Sequence, residues 1–102
     1  MESKLGVREF QELIKEEFFH KDSPRGLAKT FIWFAEEVGE LARSIRHADS
    51  EHMKEEFADV FAWLCTMANL VGVDLEEAVL AKYERGCPRC GLKPCECKEA
   101  FN

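Results

Sequence analysis

Two stretches of the sequence decide the fold, RGLAKTFIWFAEEVGELARSIRH at residues 25–47 and EHMKEEFADVFAWLCTMANLV at residues 51–71. In both, large apolar residues recur at alternating steps of four and three, which is the period of one helix face. The recurring residues are Leu27, Phe31, Phe34, Val38, Leu41 and Ile45, then Met53, Phe57, Val60, Leu64, Met67 and Val71. The pattern predicts two long amphipathic helices, and the short turn between them predicts antiparallel packing.

Two shorter helices flank this hairpin in the prediction. Apolar residues around Ile14 predict a helix over residues 5–20, followed by a break at residues 21–26 with Pro24 near the start of the next helix. Asp74 is the expected N-cap of a last helix over residues 75–85. Strand signals are nearly absent from the sequence.

The expected fold is therefore all-α. Residues 1–86 would form a four-helix bundle-like subunit, and residues 87–102 a short Cys-rich knuckle. A chain of 102 residues with 46% apolar and 33% charged residues is long enough for one domain, and its composition excludes a disordered chain.

Charge and hydropathy limit the partners that are expected. The net charge of −6 predicts a poor general nucleic-acid binder, because the chain lacks the positive field that such binding needs. The most apolar run, residues 57–73, is short for a membrane span and contains Asp59. The first residues show no apolar signal-peptide core. We expect a cytoplasmic protein that does not bind a membrane.

Four carboxylates fall on one edge of the predicted hairpin. If the turn is centred near residue 48, Glu40 lies at the height of Glu56, and Glu37 at the height of Asp59. Each acid also stands one position before an apolar residue of the buried stripe. The four side chains should therefore gather along one interhelical seam, in two layers one turn apart.

Such a cluster is costly without a counter-charge, because neighbouring carboxylates oppose each other's ionisation. A hard divalent cation removes that cost, and a ligand set made only of oxygens favours Mg²⁺ or Mn²⁺ over iron or zinc. The alternative is a solvated acidic helix face without a metal.

The paired motifs EEVGE at residues 36–40 and EFAD at residues 56–59 resemble the Glu-x-x-Glu, spacer, Glu-x-x-Asp signature of the MazG-like all-α nucleoside triphosphate pyrophosphohydrolases. The similarity covers residues 28–85. It implies Mg²⁺-dependent hydrolysis of a nucleotide to the monophosphate and pyrophosphate. It also implies the metal ligands Glu37, Glu40, Glu56 and Asp59. These four acids and Glu36 are the catalytic candidates, and Glu36 would either orient water or a ligand or only flank the site. The alternatives are a phosphoribosyl-ATP pyrophosphohydrolase-like enzyme and a non-catalytic helical interaction protein.

Two pairs of residues are candidates for contact with the nucleotide. The register that matches the acids also places Trp33 opposite Trp63, where a base could stack; the alternative is a core or interface role. Lys82 and Arg85, in the last predicted helix, could meet phosphates, or could lie solvated at the end of that helix.

The tail contains a C-x-x-C pair, Cys87 and Cys90, followed by a C-x-C pair, Cys95 and Cys97. Two close pairs within loop reach predict a tetrahedral structural zinc site. Redox chemistry or free thiols are the alternative.

The two long helices carry more apolar surface than two short helices can cover. We therefore expect a homodimer or tetramer, and the resemblance implies an oligomer as well.

Overall fold

The computed structural model of the chain describes residues 5–98, and within them it contains four α-helices and no strand. The helices are α1 (Val7–Arg25), α2 (Leu27–Arg46), α3 (Ser50–Val71) and α4 (Leu75–Tyr83). The all-α prediction is confirmed. The ends of the predicted subunit and tail, residues 1–4 and 99–102, lie outside the described residues.

Helices α2 and α3 form the predicted antiparallel hairpin. Asp49 caps α3 by accepting a hydrogen bond from the backbone N–H of His52 at 3.2 Å, and Ala48 turns the chain with a positive φ of 54°. The indole rings of Trp33 and Trp63 meet edge to face, with their centroids 5.6 Å apart. This contact confirms the predicted register of the hairpin.

Helix α1 packs mainly against α3. The rings of Phe10 and Phe61 stack with centroids 5.4 Å apart. At the start of the helix, Arg8 forms ion pairs with Asp74 at 2.8 Å and Glu76 at 3.0 Å, which join α1 to the beginning of α4.

A buried glutamine fixes the point where three helices meet. The side-chain amide of Gln11 donates to Asn69 Oδ1 at 3.0 Å and to the Val73 carbonyl at 2.7 Å, and its oxygen accepts from the Leu75 N–H at 2.9 Å. One side chain thus satisfies backbone groups at the end of α3 and at the start of α4.

The predicted break at residues 21–26 is wrong, since α1 continues to Arg25 and the chain turns at Gly26 alone, with φ 86° and ψ 166°. Pro24 lies in the last turn of α1, where its missing N–H removes a single helical hydrogen bond. Asp22 and Arg25 form an ion pair one turn apart on the same helix, which favours this extension.

Helix α4 is shorter than predicted and ends at Tyr83. The Gly86 N–H donates to the Tyr83 carbonyl at 3.0 Å, and the Cys87 N–H donates to the Leu92 carbonyl at 3.1 Å. These bonds turn the chain into the Cys-rich tail before the predicted end at residue 85.

The apolar core of the single chain is small. Among apolar residues of the described part, only Ile14, Cys65 and Ala68 are buried. Burial raises the pKa of the Cys65 thiol to about 11, which suits a core residue rather than a nucleophile.

A large apolar surface remains exposed on α2 and α3. The accessible surface of the chain is 7967 Å², whereas a compact monomer of this mass exposes about 5,900 Å². The radius of gyration is 16.0 Å, against about 13 Å for a compact chain of this length. The exposed apolar residues on these two helices are Leu27, Phe31, Ile32, Trp33, Val38, Ile45, Phe57, Phe61, Leu64 and Val71.

In the described part of the chain, no single helix has the length and hydropathy of a membrane span. Helices α3 and α4 meet those criteria only when taken together, across a bend of 98°.

Candidate active site

Three carboxylates meet on the seam between α2 and α3. Glu37 comes from α2, Glu56 and Asp59 come from α3, and one oxygen of each lies within 4.8 Å of the others. We call these three residues the acidic triad. Glu37 and Glu56 are half-buried and Asp59 is exposed. The period of each helix, combined with the antiparallel register, brings together these three of the four carboxylates in the predicted cluster.

The triad is under electrostatic strain in the absence of a cation. Burial raises the pKa of Glu37, and the neighbouring carboxylates of Glu56, Asp59 and Glu40 raise it further. Because neighbouring carboxylates repel one another, the chain carries excess negative charge at this point.

Glu56 provides a second observation at this site. Its Oε1 atom is buried and accepts no hydrogen bond from any residue between 5 and 98. A buried carboxylate oxygen without a donor is costly, and coordination to a cation removes the cost. The donors are all oxygen, so the triad fits a hard cation such as Mg²⁺ or Mn²⁺.

The two other predicted acids are not part of the triad. Glu40 is exposed, and its carboxylate lies 3.9 Å from the guanidinium of Arg43, one turn along α2. Glu36 is exposed as well. The prediction of four carboxylates in two layers is therefore wrong in part. Three carboxylates cluster, and Glu40 lies toward the guanidinium of Arg43 on the same helix.

The two predicted tryptophans share an arginine. The guanidinium of Arg25 lies 4.9 Å from the ring centroid of Trp33 and 5.0 Å from that of Trp63. Its Nε donates to Thr30 Oγ1 at 2.9 Å, and a terminal nitrogen donates to the carboxylate of Asp22. Cation–π attraction and two hydrogen bonds therefore hold Arg25 in one position.

A pocket of about 360 Å³ opens between α1 and α3, next to the triad. Ile14 and Phe18 contribute apolar surface, and Asp59 belongs both to this pocket and to the triad. The other lining residues are Lys21, Asp22, Arg25, Ala62, Trp63 and Thr66. A ligand in the pocket would therefore reach the carboxylates.

The contribution of α1 to this pocket differs from the expectation drawn from the sequence. The pattern predicts a break between helices at Lys21, Asp22 and Arg25, whereas these residues continue the face of α1 that carries Ile14 and Phe18. Their spacing after Phe18, at steps of three and four, was the available signal.

Lys82 and Arg85 border a different depression. That depression is lined by the end of α4 and by the first tail residues, including Gly86 and Cys87, and by none of the triad. The structure does not bring these two side chains to the acidic triad, so their contact with a nucleotide stays a prediction.

The tail gathers its four cysteines. Ligand sulfurs of Cys87, Cys90, Cys95 and Cys97 all lie within 4.8 Å of one another. The Sγ atoms of Cys87 and Cys97 are 3.7 Å apart, close to the edge of about 3.8 Å in a tetrahedron with metal–sulfur bonds of about 2.3 Å. The cluster has the shape of a four-thiolate metal site.

Backbone N–H groups surround these sulfurs. The N–H of Arg89 points at Cys87 Sγ, and that of Glu96 at Cys90 Sγ, both at 3.4 Å. Hydrogen bonds from the backbone of Cys90 and Arg89 lower the pKa of Cys87 to about 6. Gly91 closes the turn with a positive φ of 75°, a conformation that glycine adopts without strain.

The described chain thus combines an acidic triad that could hold a divalent cation with an adjoining pocket lined by aromatic and cationic side chains. The model of the MazG nucleotide pyrophosphohydrolase domain matches residues 25–91, about two-thirds of the chain. The chain therefore belongs to the MazG family. A search of the curated proteins found no match.

Family membership suggests a nucleotide pyrophosphohydrolase. The match includes the triad, both tryptophans, Cys87 and Cys90. Most of α1, with Lys21 and Asp22, precedes it, and Cys95 and Cys97 follow it. The pocket wall and half of the cysteine cluster are thus features of this chain outside the matched region.

The raised pKa of Glu37 predicts how the metal-free protein responds to pH. The pKa of Glu37 is higher in the folded chain than its ordinary value of 4.5. The folded protein therefore loses stability as the pH rises through the folded pKa, because the folded state must give up a proton that it holds more tightly than the unfolded state does. In EDTA, we expect Glu37→Gln to unfold at a higher temperature than the parent at pH 8, and the difference to shrink toward zero at pH 4.

Glu55→Gln is the matched control, because Glu55 is an exposed carboxylate on α3 outside the triad. It removes the same negative charge. Equal shifts for Glu37→Gln and Glu55→Gln at pH 8 would contradict strain at the triad and leave only a general charge effect.

Proposed function

We propose that this protein is a Mg²⁺-dependent nucleotide pyrophosphohydrolase that cleaves a ribo- or deoxyribonucleoside triphosphate, or a related nucleotide, to the monophosphate and pyrophosphate. The observation that carries the proposal is the acidic triad of Glu37, Glu56 and Asp59, with a buried unpartnered oxygen on Glu56, in a MazG domain. Mn²⁺ would serve in place of Mg²⁺.

The triad would hold the cation, which when bound neutralises phosphate charge and makes a coordinated water more acidic. Glu40 would join the ligands once its ion pair with Arg43 opens. Glu36 flanks the site and would help to orient water. These roles need little covalent chemistry from the protein, because phosphoryl transfer depends on positioning and on charge neutralisation.

The pocket beside the triad would hold the nucleoside part of the substrate. Since Asp59 lies in both, a base against Trp63 leaves the phosphates directed toward the carboxylates. Arg25 covers both indoles, so stacking between Trp33 and Trp63 would require it to move. Lys21 adds positive charge to the same wall, which offsets the charge of the phosphates.

Glu56→Gln tests the catalytic proposal. Replacing the buried carboxylate removes a ligand charge while keeping the side-chain shape, so we expect release of monophosphate and pyrophosphate to fall by at least about a hundredfold. The assay would use a panel of nucleoside and deoxynucleoside triphosphates together with phosphoribosyl-ATP. Glu55→Gln, on the exposed side of α3, should keep parental activity.

A Mn²⁺ titration separates the enzyme from the non-catalytic alternative. We expect saturable binding to the parent and much weaker binding to Glu56→Gln. No hydrolysis of any panel member, together with no Mn²⁺ binding to the parent, would favour a helical interaction protein.

We also propose that the tail holds one structural zinc ion through Cys87, Cys90, Cys95 and Cys97. Sulfurs within 4.8 Å of one another and the backbone N–H groups directed at them support a thiolate site. Zinc would tie the end of α4 to the tail and leave no open coordination position for catalysis. Reduced thiols suit a cytoplasmic location, which we propose with it.

The double variant Cys87→Ser/Cys90→Ser tests the zinc site. Metal analysis of protein purified without chelator should find about one zinc per parental chain and almost none in the variant. Cys65→Ala, which removes a buried thiol outside the tail, should keep its zinc. Mg²⁺-dependent hydrolysis should largely survive loss of zinc; if activity vanished with the fold intact, the tail would belong to the active site.

We propose further that the protein is a homodimer or tetramer. Exposed side chains on α2 and α3, such as Ile32 at 59% and Phe57 at 56%, support this. The surface in excess of a compact monomer is about 2,000 Å² per chain, more than the roughly 1,000 Å² per partner at which obligate interfaces begin.

Light scattering at micromolar concentration should give two or four times the chain mass of 11.7 kDa. Phe57→Arg places a charge on the proposed interface and should shift the protein toward the monomer. Val79→Arg on α4, at 47% exposure, should leave the mass unchanged. A parental mass of one chain would refute the oligomer.

A further inference from the structure

Asp22 is a second carboxylate with an unpartnered oxygen, separate from the acidic triad. It lies on α1 and is 4% exposed. Its Oδ1 accepts a hydrogen bond from Arg25, whereas its Oδ2 is buried and has no partner among the described residues. Leaving a charged acceptor buried and unpaired is costly, so this oxygen points to a donor that a ligand would bring.

The surroundings of Asp22 narrow the kind of ligand. The residue lines the 360 Å³ pocket together with the flat ring of Trp63 and the apolar side chains of Ile14 and Phe18. Arg25, a fixed donor, is bonded to the same carboxylate. A planar heterocycle with a hydrogen-bonding edge matches an aromatic wall beside an acceptor and a donor.

We propose that Asp22 selects nucleotides whose base pairs an exocyclic amino group with an unprotonated ring nitrogen on its Watson–Crick edge, namely cytosine and adenine, against their oxo counterparts uracil and hypoxanthine. The inference rests on the proposed function and names its substrate class. An amino group donates to the free carboxylate oxygen, and the ring nitrogen accepts from Arg25.

In the oxo bases, the hydrogen-bond donor and the hydrogen-bond acceptor exchange places. Uracil and hypoxanthine present an oxygen where the amino group stood, and this oxygen would face the carboxylate, which only accepts. Their neighbouring ring nitrogen carries a hydrogen, and that hydrogen would face the Arg25 guanidinium, which only donates. A site built for one pattern therefore rejects the other by leaving its own groups unpaired.

The experiment measures binding of the predicted products by intrinsic fluorescence, since both tryptophans of the chain adjoin Arg25. CMP and UMP form one matched pair, and AMP and IMP the other, each titrated in the presence of Mg²⁺. We expect the amino member to bind at least about tenfold more tightly in each pair, as a hydrogen bond to a charged group requires.

Asp22→Asn is the decisive variant. Its amide oxygen can still accept from Arg25, while its NH₂ group replaces the free carboxylate oxygen and donates to an oxo group. We expect the preference for CMP over UMP to be lost or reversed. Glu16→Gln, an exposed carboxylate on the same helix, should keep the parental preference.

Parallel measurements of kcat/KM for CTP and UTP separate this inference from the proposed function. Hydrolysis without a base preference, or equal binding of CMP and UMP, would overturn base selection by Asp22 and leave the hydrolase standing. Selective binding that Asp22→Asn abolishes, without hydrolysis of any triphosphate, would support the inference while refuting the proposed reaction. Failure of all four monophosphates to bind would overturn the inference.

Discussion

The register of the α2–α3 hairpin is the constraint on which the rest of the molecule depends. One antiparallel alignment sets Trp33 against Trp63 and brings Glu37 to Glu56 and Asp59. A helix that slips by one residue turns its side chains by about 100°, so a different register would separate the acids from each other and from the pocket. The short turn at Ala48 and the Asp49 cap, between the two helices, fix this register.

This hairpin is poorly covered by its own chain. Few apolar residues are buried, and the most specific contact between α1, α3 and α4 is polar, through Gln11. Stability and site formation are therefore linked. The strain of the triad weakens the fold unless a cation neutralises it, and the exposed face of α2 and α3 needs a further surface to bury it.

Much of this could be predicted from the sequence, because helix period and capping are local. The apolar stripes predict the hairpin, Asp74 is the predicted cap of α4, and the paired acid motifs include the three residues of the triad. The incorrect predictions concern residues at which a side-chain ion pair competes with the conformation or contact that the local pattern indicates. Pro24 and its neighbours suggest a break, yet a proline in a last turn costs one bond, and the Asp22–Arg25 pair extends the helix. Glu40 has the expected height, but Arg43 on its own helix competes for it.

The error at residues 21–26 matters most for function, because it hid one wall of the pocket. In the part of the chain that the structure describes, two buried carboxylate oxygens, on Glu56 and Asp22, lack hydrogen-bond partners. A sequence that folds consistently does not leave such groups unpaired unless something else satisfies them, and departures of this kind concentrate at functional sites. A cation suits the first, since the carboxylates of Glu37 and Asp59 lie beside it. The second adjoins an aromatic ring and a fixed arginine, so a neutral donor on a flat ring suits it better. In the proposed function, the oxygen of Glu56 would serve the phosphate part of the substrate and the oxygen of Asp22 its base. Asp59, which belongs to both the triad and the pocket, lies between these two regions.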